Sequence, residues 1–253
     1  MRYSMQVITL LLLLLTDSVV VRESLPSGFP IEPAVDHANT SFFPQQPDPS
    51  DLPLKLFETA TETALPMLVY VSGDGGWNNF SAALCNYLNQ KGIPVVALDA
   101  QKYFWKSKLP EETAKEMETV IGFYLKKWKR EKYVMAGFSF GADIIPFIVN
   151  RLPAEMKAGL VASVLISPDR TCDFEIHLSD MLSLGISKGR YDVVREISAG
   201  NIKKLAILFG SDENKNNRSA FGATGAKIIV LQGNHHFDSA FETVGDSIIS
   251  EIR

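Results

Sequence analysis

The stretch that decides the fold is Lys132–Arg151, KYVMAGFSFGADIIPFIVNR. Lys132 to Phe138 is a short apolar run of the kind that forms a buried parallel strand. Gly141 to Arg151 has the length and apolar content of a helix, although Pro146 inside it predicts a kink or an early break. Between the two stands Gly137-Phe138-Ser139-Phe140-Gly141, a G-x-S-x-G. In such a strand-to-helix turn the serine backbone is strained, and the flanking glycines relieve the crowding around it. The turn lifts the hydroxyl over the sheet, where the helix N-terminus directs partial positive charge at it. Ser139 is the candidate nucleophile. The competing structural reading is a turn serine that only caps a helix.

Outward from this core, strand-like and helical patterns alternate. Met67–Ser72 reads as a strand that runs into the turn Gly73-Asp74-Gly75-Gly76, and Trp77–Lys91 reads as a helix stopped at Gly92. Ile93–Leu98 is the next strand. Pro110–Lys129 is the clearest helix. Pro110 suits its first position, Glu111 and Glu112 its first turn and Lys126, Lys127 and Lys129 its last. Ala114, Met117, Ile121, Tyr124 and Trp128 recur at helical spacing and read as core. Leu160–Ile166, Leu205–Phe209 and Lys227–Leu231 are further strands, and His236–Ile252 reads as the last helix. Residues 53–59 are expected to form an edge strand, and 167–199 a small insertion over the sheet edge. This alternation implies an α/β domain over residues 53–253: a mostly parallel central sheet with helices on both faces.

A serine hydroxyl needs a base. With a nucleophile on this kind of turn, the chain order is serine, then an acid, then histidine, which is the order of an α/β-hydrolase fold. Of the four histidines, His235 and His236 follow the last strand. The spacing favours His236 over His235. The acid is expected after Leu205–Phe209, where Asp212 and Glu213 stand. The shorter Asp212 is favoured, Glu213 is the alternative, and Asp169 is a weaker one. An oxyanion hole needs backbone donors. Phe140 supplies one and Asp74 the other, with Gly75 as its alternative. Gly75, Trp77, Tyr103, Trp105 and Asp143 are candidate substrate-binding residues. The Tyr103-Phe104-Trp105 loop reads equally well as a lipid-pocket wall or as a hydrophobic flap over the core. Asp143 reads equally well as a substrate contact or as a structural residue in the first turn of its helix.

The chain has 253 residues, 46% of them apolar, which suffices for one sizeable core. A net charge of −4 gives no basic excess for nucleic-acid binding. The Gly-rich turn at 73–76 lacks the G-K-[ST] and G-x-G-x-x-G patterns of nucleotide loops. No cofactor or metal is expected. Residues 1–21 contain the apolar run Val7–Leu15, too short for a comfortable bilayer span, and read as a signal peptide. Residues 22–52 are rich in Pro, Ser, Asp and Gln and are expected to be an extended or disordered linker. Cys85 and Cys172 read as separate thiols slightly better than as a bridge.

Several of these motifs together carry a likeness. Ser72-Gly73-Asp74-Gly75-Gly76-Trp77, Tyr103-Phe104-Trp105, Gly137 to Asp143 with Pro146-Phe147, Asp173-Phe174-Glu175-Ile176-His177 and His235-His236-Phe237-Asp238 resemble the VirJ/AcvB family of bacterial virulence proteins. The likeness runs from about Pro66 to the C-terminus. It implies a periplasmic α/β-hydrolase domain, an association with type IV secretion and, from the AcvB branch, hydrolysis of lysyl-phosphatidylglycerol. The partners it implies are a small-molecule or lipid head-group substrate, the membrane surface and secretion-system proteins. Where the family usually continues with Gly-Asp after His-His-Phe-Asp, this chain has Ser239-Ala240. The competing functional readings are a general esterase or thioesterase, and a non-catalytic periplasmic partner of a secretion system.

Overall fold

The computed structural model of the protein describes residues 49–59, 64–176, 189–200 and 202–253. The expected signal peptide, the expected linker up to residue 48, and His177 lie outside the described residues. The first described residues form a 3-10 turn, Pro49–Asp51.

Strand β1 (Leu54–Phe57) is followed by β2 (Met67–Val71), helix α1 (Asn79–Gln90), β3 (Val95–Leu98), α2 (Ala100–Tyr103), α3 (Pro110–Lys127) and β4 (Tyr133–Phe138). Helix α4 (Phe140–Arg151), α5 (Ala154–Gly159) and β5 (Leu160–Ile166) come next. The order then runs β6 (Thr171–Cys172), β7 (Tyr191–Asp192), α6 (Val193–Ala199), β8 (Leu205–Gly210), α7 (Lys215–Ala220), β9 (Lys227–Leu231) and α8 (Phe241–Ile252). Seven strands form one sheet in the order β1-β3-β2-β4-β5-β8-β9. Within this sheet only β1, the expected edge strand, runs antiparallel to its neighbour.

The central strands are buried on both faces, which explains their uninterrupted apolar sequence. Every residue of β2 is buried, and its side chains alternate between two cores. Met67, Val69 and Val71 join the core that holds Met117, Ile121 and Tyr124 of α3 and Ile144 and Ile148 of α4. Leu68 and Tyr70 join the core that holds Leu84 and Leu88 of α1 and Val244 and Ile248 of α8. The sheet thus has helices on both faces, as the alternation requires. Chain order moves from β2 outward to β3, then back across to β4. The crevice between the C-terminal ends of β2 and β4 is therefore a topological switch point, where ligands bind in open α/β sheets.

Three expectations need correction. Helix α4 does not break at Pro146 and continues to Arg151, with Pro146 buried in its middle. Burial on both sides of the proline outweighs the loss of one helical hydrogen bond. The last helix starts at Phe241, not at His236. Phe237, Asp238 and Ser239 all have positive φ, so this stretch is a tight turn. The described part of the insertion packs on α4 and not over a sheet edge. Phe147 meets Phe174 and Tyr191 at ring-centroid distances of 5.4 and 5.7 Å, and Asn150 Nδ2 donates to the Glu196 carbonyl at 2.9 Å. Cys85 and Cys172 are both buried free thiols.

The strand-to-helix turn depends on two close backbone approaches. A Cβ on Gly141 would lie 2.2 Å from the Val71 carbonyl oxygen, and one on Gly137 would lie 2.3 Å from the Gly141 carbonyl oxygen. Neither obstacle is a flexible side chain. By contrast, a Cβ on Gly122, exposed in the interior of α3, meets nothing within 4 Å. Gly141→Ala is expected to destabilise the fold by about 1–3 kcal/mol or more through forced backbone movement. Gly122→Ala is expected to stabilise it by about 0.5–1 kcal/mol. Urea unfolding of the two variants checks the contrast.

Candidate active site

Ser139 stands at the end of β4, the middle strand of the sheet, with φ 51° and ψ −121°. For a residue with a Cβ this conformation is strained. The surrounding structure holds it. The Ser139 N–H donates to the Ile166 carbonyl at 2.8 Å, and the Ser139 carbonyl accepts the Ala142 and Asp143 N–H groups. The Ser139 side chain makes no capping bond to α4, so the reading of a purely capping serine fails. Its Oγ lies instead 3.0 Å from a histidine ring nitrogen, His235 Nε2.

The histidine in reach is His235, not the favoured His236. The reason is the turn that follows β9. Asn234 Oδ1 accepts the His236 N–H at 2.8 Å, and the Asn234 carbonyl accepts the Phe237 N–H at 2.9 Å. Phe237 is buried in the core and pins this turn. The imidazole of His235 is thereby directed at Ser139. His236 is exposed and lies beside Phe138 and Phe80, at 5.3 and 6.5 Å between ring centroids.

The acid in reach is Glu213, the alternative, and not Asp212. Glu213 Oε2 lies 3.2 Å from His235 Nδ1. The chain turns sharply after β8, closed by a bond from the Glu213 N–H to the Gly210 carbonyl at 3.2 Å. This turn brings residue 213 back over the strand end and leaves Asp212 outside. Asp212 is exposed and accepts the Ser211 hydroxyl at 2.8 Å. The longer Glu side chain spans the remaining distance to the ring. Gly210 permits the approach, since a Cβ there would lie 2.2 Å from the Asn234 carbonyl oxygen. Asp169, the weaker alternative, is exposed, and its carboxylate accepts Asn217 Nδ2 at 3.3 Å.

These contacts set the protonation states. Burial pushes the Glu213 carboxyl up, but bonds from His235, the Ser167 hydroxyl and the Gly210 N–H outweigh it and hold the group below its ordinary range. Burial pushes His235 down. The bond to Glu213 and the charges of Glu213, Asp169 and Asp74 overcome it and leave its pKa raised. Burial and the neighbouring His235 push His236 down. With Glu213 ionised, the Nδ1–H of His235 points at the carboxylate and the Nε2 lone pair faces the Ser139 hydroxyl. Chemically, such a row can draw the proton from a serine as it attacks an electrophilic carbon.

Of the two expected oxyanion donors, Phe140 follows Ser139 as the first residue of α4 and Asp74 lies in the loop after β2. Phe140 opens α4, whose first N–H groups have no partner within the helix. In the loop after β2, the Gly75 N–H is taken by Asp74 Oδ1 at 2.9 Å and the Gly76 N–H by the Gly73 carbonyl at 2.9 Å. The alternative Gly75 is therefore occupied, which favours Asp74. Gly73 in the same loop stands against Ser139 and Phe138.

The remaining candidates separate. Trp77 packs on Phe57 of the edge strand, 5.9 Å between ring centroids, and half-buries against the core. Tyr103 is buried, and its hydroxyl bonds Glu116. Both serve packing. Phe104, buried between Phe140 and Phe174, makes this loop a flap over the core. Trp105 alone of the three aromatics projects outward, 54% exposed. Asp143 is 4% exposed, and its Oδ1 accepts the Asp169 N–H at 2.7 Å. Burial, with Asp169 nearby, pushes its carboxyl well above the usual range. Asp143 braces the loop that carries Asp169. Beside His235 lies an open cleft of about 540 Å³, lined among others by Asp169, Asp212, Glu213, Asn214 and Asn217. Ser167, which touches both Glu213 and the His235 backbone, was missed by sequence reasoning. Among the described residues, no group of three or more His, Cys, Asp or Glu is placed to hold a metal ion.

Sheet order, switch point and strand-to-helix turn define an α/β-hydrolase fold. Residues 66–253 match the family model described as bacterial virulence protein (VirJ), and the chain belongs to that family. Among solved structures, Est1E from Butyrivibrio proteoclasticus is similar at a TM-score of 0.57 and 16% identity, over 79% of this chain and 93% of that one. MenH from S. aureus is similar at 0.58 and 11%, over 78% and 97%. A putative thioesterase from Silicibacter sp. tm1040 is similar at 0.52 and 18%, over 81% and 87%. Comparison with curated proteins found no match.

The raised His235 pKa has a checkable cause. In Glu213→Gln the raising bond and charge are weakened while burial remains, so the His235 pKa, followed by NMR, is expected to fall. Asp212→Asn is expected to leave it nearly in place. An equal fall in both variants contradicts the assignment of the acid.

Proposed function

We propose that this protein is a serine hydrolase that cleaves esters, with Ser139 as nucleophile, His235 as base and Glu213 as the acid that orients it. The observation that carries this reading is the continuous hydrogen-bonded row from Ser139 Oγ through the His235 ring to Glu213. In the reaction, Ser139 Oγ attacks the ester carbonyl carbon and its proton passes to His235 Nε2. Negative charge develops on the carbonyl oxygen, and the Phe140 and Asp74 N–H groups stabilise it. Collapse expels the alcohol, which takes the proton from His235, and leaves an acyl group on Ser139. A water molecule, deprotonated by the same histidine, then releases the acid and restores the serine.

The proposed substrate is the aminoacyl ester of a phospholipid head group, lysyl-phosphatidylglycerol. The acids around the site support a cationic acyl group. Asp74 and Asp169 both act electrostatically on His235, and the adjoining cleft is lined by the carboxylates of Asp169, Asp212 and Glu213 against one arginine, Arg170. An ammonium group close to the scissile carbonyl is attracted there. Neutral alkyl esters gain nothing from these charges. The same reading puts the protein in the periplasm, exported by the apolar segment at 7–15, in contact with the membrane surface and with secretion-system proteins.

Since the base must be neutral, activity is expected to rise with pH through the raised pKa of His235. The acid limb of the rate profile then lies above the ordinary histidine value. With vesicles of lysyl-phosphatidylglycerol, Ser139→Ala and His235→Gln are each expected to lower free-lysine release by at least about 10³-fold. His236→Gln is expected to retain most of it. Full release by Ser139→Ala contradicts the nucleophile, and an inactive enzyme on lysyl esters with activity on neutral esters contradicts the substrate class.

A further inference from the structure

Ser167 is a buried hydroxyl that the mechanism above does not use. It stands directly beyond β5, as Ser139 stands directly beyond the neighbouring β4. Phe138 pairs with Ile166 across these strands, and the Ser167 N–H donates to the Leu208 carbonyl at 2.8 Å. Both serines have positive φ, 51° for Ser139 and 53° for Ser167. A glycine holds such a backbone without strain. What a serine adds is the hydroxyl, and here it has a definite destination. Ser167 Oγ lies 2.7 Å from Glu213 Oε1 and 3.3 Å from the His235 carbonyl oxygen. A hydroxyl has one proton, and the shorter contact, to a charged acceptor, takes it.

Glu213 Oε1 also accepts the Gly210 N–H at 2.5 Å. Two donors therefore hold the carboxylate oxygen remote from the imidazole, and Oε2 is left facing His235 Nδ1. A glutamate side chain has more rotatable bonds than an aspartate and needs such a clamp to act as a fixed orienter. We propose that Ser167 is a positioning residue: its hydroxyl locks the Glu213 carboxylate in the rotation that aims the His235 ring at Ser139. This rests on the serine-hydrolase reading, and it adds to that reading the group that lets a glutamate stand as the acid.

Two variants separate positioning from plain structural support. Ser167→Ala removes the hydroxyl and keeps the strained backbone. Ser167→Gly removes the hydroxyl and relieves the strain. Both are expected to lower kcat on para-nitrophenyl acetate by about 10–100-fold with KM within about two-fold, because misaimed catalytic groups cost rate more than binding. In both, the downfield proton resonance of His235 Nδ1–H is expected to broaden or vanish. Thermal unfolding is expected to rank Gly at or above wild type and Ala at or below it, so that activity does not follow stability. Wild-type kcat and an unchanged resonance in Ser167→Gly overturn the proposal. So does a loss confined to Ser167→Ala that tracks a lower Tm. Ser139→Ala is the control: if it still hydrolyses the ester, the nucleophile reading falls by itself. If it is inactive while Ser167→Gly behaves as wild type, only the positioning role falls.

Discussion

At Gly141 the first turn of α4 passes so close to the end of β2 that a single methyl group would strike the Val71 carbonyl. This approach fixes the helix directly over the central strands. It also gives the chain only one residue, Ser139, in which to reverse from strand to helix, and that residue takes a positive φ. Within this strand-to-helix turn, the strain falls on the residue that presents the hydroxyl. Two cores, one on each face of the sheet, hold the neighbouring strands and helices against it. The site thus inherits its rigidity from the most buried part of the fold, a favourable arrangement for a preorganised catalytic group.

The electrostatics follow from the same geometry. Ser139, Ser167 and the turn after Gly210 stand at the ends of three adjacent parallel strands, so their side chains and the histidine loop converge at one edge. Glu213 is nearly enclosed and would be costly as a charge without partners. It has three, from Ser167, Gly210 and His235. Its ionisation raises the His235 pKa, and the exposed Asp74 and Asp169 raise it further. These acids therefore also make the proposed base easier to protonate, which moves the acid limb of the proposed activity to higher pH.

Much of the fold was legible in the sequence, because buried parallel strands must be apolar throughout and the glycine spacing around Ser139 has few structural uses. The places of the candidate acid and base, after the last two strands, were legible from the chain order serine, acid, histidine. Which of two adjacent residues faces the nucleophile was not. His235 and His236, like Asp212 and Glu213, differ by the rotation of one residue in a turn. That rotation is set by Asn234, by the buried Phe237 and by the Gly210–Glu213 turn, none of which periodicity reveals. Asn234 ahead of the two histidines was a usable signal, since an Asn side chain that accepts the N–H two residues on closes a turn, and the intervening residue, here His235, projects from it. The packing of Trp77 was not legible, because its partner Phe57 comes from another segment, whereas for Tyr103 a flap over the core was one of two even readings, and the bond to Glu116 decides it.

The central claim is that His235, and not its neighbour, activates Ser139. Labelling with a fluorophosphonate probe followed by peptide mapping tests it most directly. The account predicts an adduct on Ser139 in the wild-type protein and in His236→Gln, and almost none in His235→Gln. Equal labelling of His235→Gln, or an adduct on another residue, would contradict it.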